Sequence, residues 1–267
     1  MTSGRRESIG GLLLDHAEPE GLARPLPLLL VHGLWGGAWV WERWLPYAAS
    51  RGWDAWAIEH RGRNGSRPVP DLGRVRLRDL VGDVREVIAQ LGPCVLVGFS
   101  MGGLVVQAVS AEETNVRAAV YLCSVAPGGM VSTNRWMVRR MARYLPTIFR
   151  GNAFKPNRPD ADVLLFNGSP REVADANFPR LIPDSGTIAR EIMLGSVRVD
   201  ASQIRCPRLI VSTGEDRISP PSLQPKLVKK YVAEHLSFPG LDHMHTLHPD
   251  WEGPAKAVLD WAERVTA

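Results

Sequence analysis

Residues 94–112, CVLVGFSMGGLVVQAVSAE, constrain the fold of this chain more than any other stretch. The first residues form an apolar run with no polar alternation, the mark of a strand covered on both faces. Gly98-Phe99-Ser100-Met101-Gly102 follows at once, and then GGLVVQAV, which continues as a helix. A strand that turns straight into a helix within so few residues belongs to a sheet whose strands alternate with helices.

The rest of the chain keeps that rhythm. Strands are expected at 25–33 (PLPLLLVHG), 53–59 (WDAWAIE), 116–127 (VRAAVYLCSVAP), 208–216 (RLIVSTGED) and 234–238 (EHLSF). Helices are expected at 37–52, bent at Pro46, at 101–112, and at 222–233 with Leu223, Leu227, Val228 and Tyr231 on one side. A last helix over 251–265 would be capped by Asp250. In 76–92, Leu77, Leu80, Val81, Val84, Val87, Ile88 and Leu91 recur at intervals of three and four, and Gly92-Pro93 stops the helix. The fold class is therefore α/β, a mostly parallel sheet flanked by helices. Residues 129–200 interrupt the rhythm. They are rich in Pro, Arg, Asn and aromatics, with WMVRRMARYL as the clearest helix. That is too long for a loop. It is expected to be a helical cap (lid) over the carboxyl edge of a core formed by 1–128 and 201–267, the edge where open α/β sheets place ligands.

At 267 residues the chain suits one such core. The net charge is only +4, and its densest basic patch, RWMVRRMARY, is interleaved with apolar residues as in an amphipathic helix, so no nucleic-acid partner is expected. Three widely spaced cysteines, Cys94, Cys123 and Cys206, form neither a disulfide framework nor a CxxC metal pattern. The N-terminal MTSGRRESIGGLLLDH lacks a signal-peptide core, and no apolar run spans a membrane. The expectation is a soluble, cytoplasmic protein without membrane partners.

Ser100 is the candidate nucleophile. Glycines on both sides relieve clashes at a tight turn, and the following helix directs its free N–H groups and positive dipole end at the site. The Met101 N–H would be one oxyanion donor. The Leu34 N–H, in VHGLWGG (31–37), would be the second.

In this order of segments the chain resembles the α/β-hydrolase fold superfamily, specifically its small capped serine esterases and lipase-like hydrolases. The shared features are strand-His-Gly, G-x-S-x-G, a cap, G-x-D and a late histidine. HGLWGGAWVWERW also resembles the opening of plant methylesterases and hydroxynitrile lyases. The resemblance implies a triad in the order Ser, acid, His. Asp216, in Gly214-Glu215-Asp216, stands at the family's acid position, with Glu215 as the local competitor. His243, in GLDHM, stands at the position of the base, and His32 is a structural support for the oxyanion loop.

Three histidines, His243, His245 and His248, crowd into GLDHMHTLHPD. His243, His245 and Asp242 could instead hold a metal on an extended segment. No complementary ligand motif occurs elsewhere, and a metal site would leave the serine turn unexplained, so neither metal nor cofactor is expected. His245 is the alternative base; otherwise it and His248 are neighbours whose replacement is mild.

Candidate substrate-binding residues are Trp35, beside the oxyanion turn, Phe99, and Trp136, Met137 and Met141 in the cap, for which packing of the cap's own core is an equal alternative. The resulting expectation is a carboxylic ester hydrolase (carboxylesterase-like, EC 3.1.1) acting on small to medium hydrophobic acyl groups, with a small-molecule ester as its partner. Lactone or thioester cleavage, acyl transfer, C–C or cyanohydrin cleavage and a ligand sensor without turnover are the alternatives on the same fold.

Overall fold

Among the described residues eight strands form one sheet in the order β1-β2-β4-β3-β5-β6-β7-β8. They are β1 (Arg5–Ile9), β2 (Leu12–Ala17), β3 (Leu28–Val31), β4 (Ala55–Glu59), β5 (Cys94–Phe99), β6 (Val116–Leu122), β7 (Arg208–Thr213) and β8 (Glu234–Phe238). The computed structural model describes residues 5–130 and 135–267. From β4 to β8 across the sheet every pairing is parallel, whereas β2 runs antiparallel to both β1 and β4.

The apolar runs are continuous because both sheet faces are covered. Leu28 and Leu30 of β3, Val95 and Val97 of β5 and Val120 of β6 join one buried cluster with Trp41, Trp44, Val258 and Trp261. Their neighbours Leu29, Val31, Leu96 and Tyr121 face the opposite cluster with Leu80, Val84, Leu104 and Leu227. Trp41 apart, the helical residues among these lie on α1 (Trp44–Ser50), α2 (Leu77–Leu91), α3 (Met101–Glu112), α9 (Gln224–Tyr231) and α10 (Glu252–Thr266). α1 and α10 cover one face; α2, α3 and α9 cover the other.

Three details differ from the sequence reading. No strand is expected before residue 25, yet β1 and β2 form a hairpin. Its two-residue turn, Gly10-Gly11, has both φ values positive (56° and 81°), the geometry that a tight hairpin requires and that glycine adopts without strain. The helix over 37–52 breaks earlier than Pro46, into a 3-10 turn (Ala38–Trp41) and α1. Pro46 sits in the first turn of α1, where its missing N–H has no intrahelical partner to lose. Asp250 does not cap the last helix: the N-cap of α10 is Trp251, without a side-chain bond, and Asp250 contributes its backbone carbonyl to Gly253.

Among the described residues between β6 and β7 are five short α-helices, α4 (Arg135–Met141), α5 (Leu145–Arg150), α6 (Arg158–Leu164), α7 (Arg171–Asn177) and α8 (Gly186–Met193). This segment bonds to several loops at the carboxyl edge of the sheet. Ile182 N–H donates to the Trp35 carbonyl after β3 and Met244 N–H to the Leu165 carbonyl after β8. Asn167 Nδ2 donates to the Glu215 carbonyl after β7. Among the described residues no helix is long and apolar enough to cross a membrane.

Candidate active site

Ser100 sits between β5 and α3 with φ 56° and ψ −119°, a backbone conformation that L-residues rarely adopt. Three backbone bonds hold it there. Its N–H donates to Leu122 O at 3.0 Å, and its carbonyl accepts from Gly103 N at 3.0 Å and Val125 N at 3.2 Å. The flanking glycines are required by close approach. A Cβ on Gly98 would lie 2.3 Å from the Gly102 carbonyl oxygen, and one on Gly102 would lie 2.2 Å from that of Val31. The sequence motif therefore encodes the contact of α3 with β5 and β3, which aims the helix N-terminus at the serine.

The ring of His243 lies between Ser100 and Asp216. Its Nε2 is 2.9 Å from Ser100 Oγ and its Nδ1 is 2.8 Å from Asp216 Oδ2. The tautomer that satisfies both contacts donates from Nδ1 to the carboxylate and leaves the Nε2 lone pair to accept the serine proton. Asp216 Oδ1 accepts the backbone N–H groups of Ile218 and Ser219, both at 2.8 Å, so the carboxylate is fixed on both oxygens. Glu215, its sequence competitor, is not in this array; its backbone bonds to Leu241 and Asn167. All three side chains are shielded: Ser100 is 7% exposed, Asp216 3% and His243 2%.

The turn expected from sequence to offer the second donor, Gly33-Leu34, follows β3. Gly33 packs directly on the serine, since a Cβ there would sit 2.7 Å from Ser100 Cβ. His32 is fully buried, and its Nδ1 donates to the Gly33 carbonyl at 2.8 Å. That bond fixes the plane of the peptide that carries the Leu34 N–H. Met101 is the first residue of α3, so its N–H has no intrahelical acceptor.

His245 has partners other than the serine. It is fully buried, its Nδ1 contacts the His243 carbonyl at 3.0 Å and Cys123 Sγ at 3.7 Å, and its ring stands edge-on to Phe99. Burial, with the neighbouring His243, pushes its pKa down to about 4. Asp242 is also buried, and burial raises its carboxyl above the ordinary value; Oδ2 accepts from Ser169 Oγ (2.7 Å) and Gly168 N (3.1 Å). Among the described residues no group of three or more His, Cys, Asp or Glu side chains is placed to hold a metal ion. His248, 8% exposed, precedes α10 and accepts from the Asp250 N–H.

Of the candidate substrate residues, Phe99 packs beneath His243, with ring centroids 4.9 Å apart. Trp35 is buried, its ring edge-on to Phe154 and its Nε1 donating to the Phe154 carbonyl. Trp136, Met137 and Met141 are half-buried on the same apolar cluster, and Arg217 lies over the Trp136 ring at 4.6 Å. Sequence reading missed Arg63 and Asp184, whose ion pair reaches the Trp35 backbone. The only signal was an arginine inside the turn-rich RGRNGS, and its partner lies 121 residues away.

A mostly parallel eight-stranded sheet with a strained serine where its central strand meets a helix is the architecture of the alpha/beta hydrolases. The chain belongs to the alpha/beta hydrolase family, whose model matches residues 28–251. Solved structures share the fold at low identity. A thermophilic esterase from Thermogutta terrifontis is 18% identical, with a TM-score of 0.75 over 98% of this chain and 100% of that one. An enol-lactonase from Burkholderia xenovorans LB400 is 18% identical, with a TM-score of 0.70 over 97% and 100%. A methylesterase from Arabidopsis is 17% identical, with a TM-score of 0.69 over 89% and 99%. No curated protein matches the sequence significantly.

Proposed function

We propose that this protein is a serine hydrolase that cleaves carboxylic esters of small to medium hydrophobic acyl groups through an acyl-enzyme, with Ser100, His243 and Asp216 as its triad. The observation that carries the reading is the unbroken chain of contacts from Ser100 Oγ through His243 to Asp216, at 2.9 and 2.8 Å. Family membership supports a hydrolase, and the named esterase and lactonase among its structural neighbours share its fold.

Ser100 Oγ attacks the ester carbonyl carbon as its proton passes to His243 Nε2. Asp216 stabilises the imidazolium. The negative charge on the former carbonyl oxygen is met by the N–H groups of Met101 and Leu34. Collapse of the adduct expels the alcohol, which takes the proton from His243, and leaves the acyl group on Ser100. Water then repeats the sequence and releases the acid. Residues 129–200 act as a cap that excludes water and, through Trp136, Met137 and Met141, gives the acyl site its apolar character.

Ser100→Ala and His243→Ala are each expected to lower kcat for p-nitrophenyl esters by roughly 10⁴-fold or more. Ser100→Ala should also abolish fluorophosphonate labelling while thermal unfolding stays unchanged. Retained turnover in the folded Ser100→Ala protein would sink the mechanism. A panel of acyl chain lengths, with lactones and thioesters alongside, reads the substrate class.

A further inference from the structure

The loop after β4 and the helical segment between β6 and β7 meet in an ion pair with no solvent access. The side chains of Arg63 and Asp184 are both 0% exposed. Arg63 Nε donates to Asp184 Oδ2 at 3.2 Å, Nη2 makes a shorter bond to Oδ1, and Nη1 donates to the Arg61 carbonyl at 2.7 Å. The carboxylate also accepts the Ser185 N–H at 2.6 Å and the Trp35 N–H at 3.0 Å. A buried pair of this kind gives little net stability, because removing two charges from water offsets their attraction. Its use lies in the geometry it fixes.

That geometry is the oxyanion turn. Trp35 has φ 63°, a left-handed conformation that strains a tryptophan, and it is gripped at three atoms. Its N–H is on Asp184, its carbonyl accepts the Ile182 N–H at 2.9 Å, and its Nε1 donates to the Phe154 carbonyl at 3.1 Å. Asp184 and Phe154 bond to each other in both directions as an isolated antiparallel bridge. The peptide before Leu34 is held at the Gly33 oxygen by His32, and the peptide after it is held at the Trp35 nitrogen by Asp184. Leu34 thus lies between two clamped peptides, one clamped by the core and one by the helical segment.

We propose that Asp184, oriented by Arg63, is a positioning residue that sets the aim of the Leu34 N–H and so couples the placement of the helical segment to oxyanion stabilisation. The inference rests on the serine-hydrolase reading above. Neither side chain touches the reacting atoms. Their effect is exerted through Trp35 and is expected to appear in the transition state rather than in ground-state binding.

The test compares two double variants. Arg63→Met/Asp184→Leu removes both charges together and leaves the Trp35 N–H without an acceptor. Arg63→Met/Asp184→Asn is equally neutral and nearly the same shape but keeps an acceptor oxygen. Active sites are counted by fluorophosphonate titration so that rates refer to folded enzyme. The Leu variant should lose roughly 10- to 100-fold in kcat, less than outright removal of an oxyanion donor, with KM changed by less than about threefold. Affinity for an alkyl trifluoromethyl ketone, whose carbonyl becomes an oxyanion when Ser100 adds to it, should fall by the same factor. The Asn variant should recover most of both losses. A purely structural pair would lower the melting temperature and the titratable fraction of both variants alike, with kcat per site and ketone affinity at wild-type values; that result overturns the proposal. If neither double variant folds, Arg63→Lys, which keeps the charge and loses the fork, carries the same comparison, and wild-type kcat and ketone affinity there would overturn it. Turnover in Ser100→Ala would remove the hydrolase reading itself. An inert Ser100→Ala beside unaffected Arg63 and Asp184 variants would remove only this inference.

Discussion

The turn at residues 98–103 and the loop at residues 240–250 each deliver one side chain to the candidate site, but they are held by different forces. The serine turn is fixed by contact: its glycines lie so close to the backbones of β3 and β5 that no side chain fits between them. The histidine loop is fixed by polar bonds to distant parts of the chain. Asp242 accepts from Gly168 and Ser169, its carbonyl accepts from Thr213 Oγ1, and the Met244 N–H reaches Leu165. Steric fixing tolerates almost no substitution. Polar fixing is spread over several bonds and loses them one at a time.

Gly102→Ala breaks that comparison at its strongest point. The added methyl would sit 2.2 Å from the Val31 oxygen and 2.5 Å from that of His32, both backbone atoms in a buried strand end. Helix α3 would have to lift from the sheet and take Ser100 with it. We expect a loss of roughly 3 kcal/mol or more in stability, at the upper end of overpacking costs, with activity lost even in the fraction that folds. Urea unfolding read by tryptophan fluorescence checks the first, and fluorophosphonate labelling of the folded fraction checks the second. A Gly102→Ala protein with wild-type stability would mean that contact does not hold the turn.

His245 sharpens the comparison at intermediate size. Its sequence position implies a mild bystander, but its ring is fully buried behind His243 and Phe99. Replacement by alanine would leave a cavity, costing roughly 2 kcal/mol, and would lower kcat by about tenfold through loss of support for the His243 carbonyl, far short of the loss at His243. Its protonation gives a second signature. The folded pKa of about 4 lies below the ordinary 6.5, so the native state refuses a proton that the unfolded chain accepts. Stability is therefore intact above pH 6.5 and falls as pH drops from 6.5 towards 4, by roughly 3 kcal/mol at the lower end from this residue alone. Burial also pushes His60 down, which adds a loss of the same sign. His245→Gln should flatten the acid limb of a stability-against-pH curve relative to wild type. Parallel acid limbs for the two proteins would show that His245 does not titrate as its burial dictates.

The two regions also differ in how far the sequence exposes them. The serine turn is legible because its constraints are local: Gly98, Ser100, Gly102 and Gly103 all lie within the six residues they shape. The same holds for the strands, whose doubly buried faces leave unbroken apolar runs. The choice of His243 over His245 rests on the resemblance of GLDHM to the hydrolase pattern, not on local constraint. The burial of His245, the tie from Asp242 to Gly168 and the Arg63–Asp184 pair do not follow, because each depends on where a segment 70 or more residues away comes to rest. The β1–β2 hairpin has a local signal in Gly10-Gly11, but only β2 beyond it is apolar, because β1, RRESI, is a charged edge strand that faces solvent.

Asp250 provides the smallest effect and the cleanest separation of sequence habit from structure. An aspartate just before a helix suggests a cap, and capping aspartates contribute about 1 kcal/mol. Here the helix begins one residue later than that pattern requires. The Asp250 side chain is 81% exposed, with His248 Nδ1 at 3.6 Å as its charged neighbour, while the backbone carbonyl makes the bond to Gly253. Asp250→Ala keeps that carbonyl and removes only a solvated carboxylate. Its stability should stay within about 0.5 kcal/mol of wild type in urea unfolding, as for surface substitutions away from special features. A loss near 1 kcal/mol would instead mean that the Asp250 side chain caps α10 in solution.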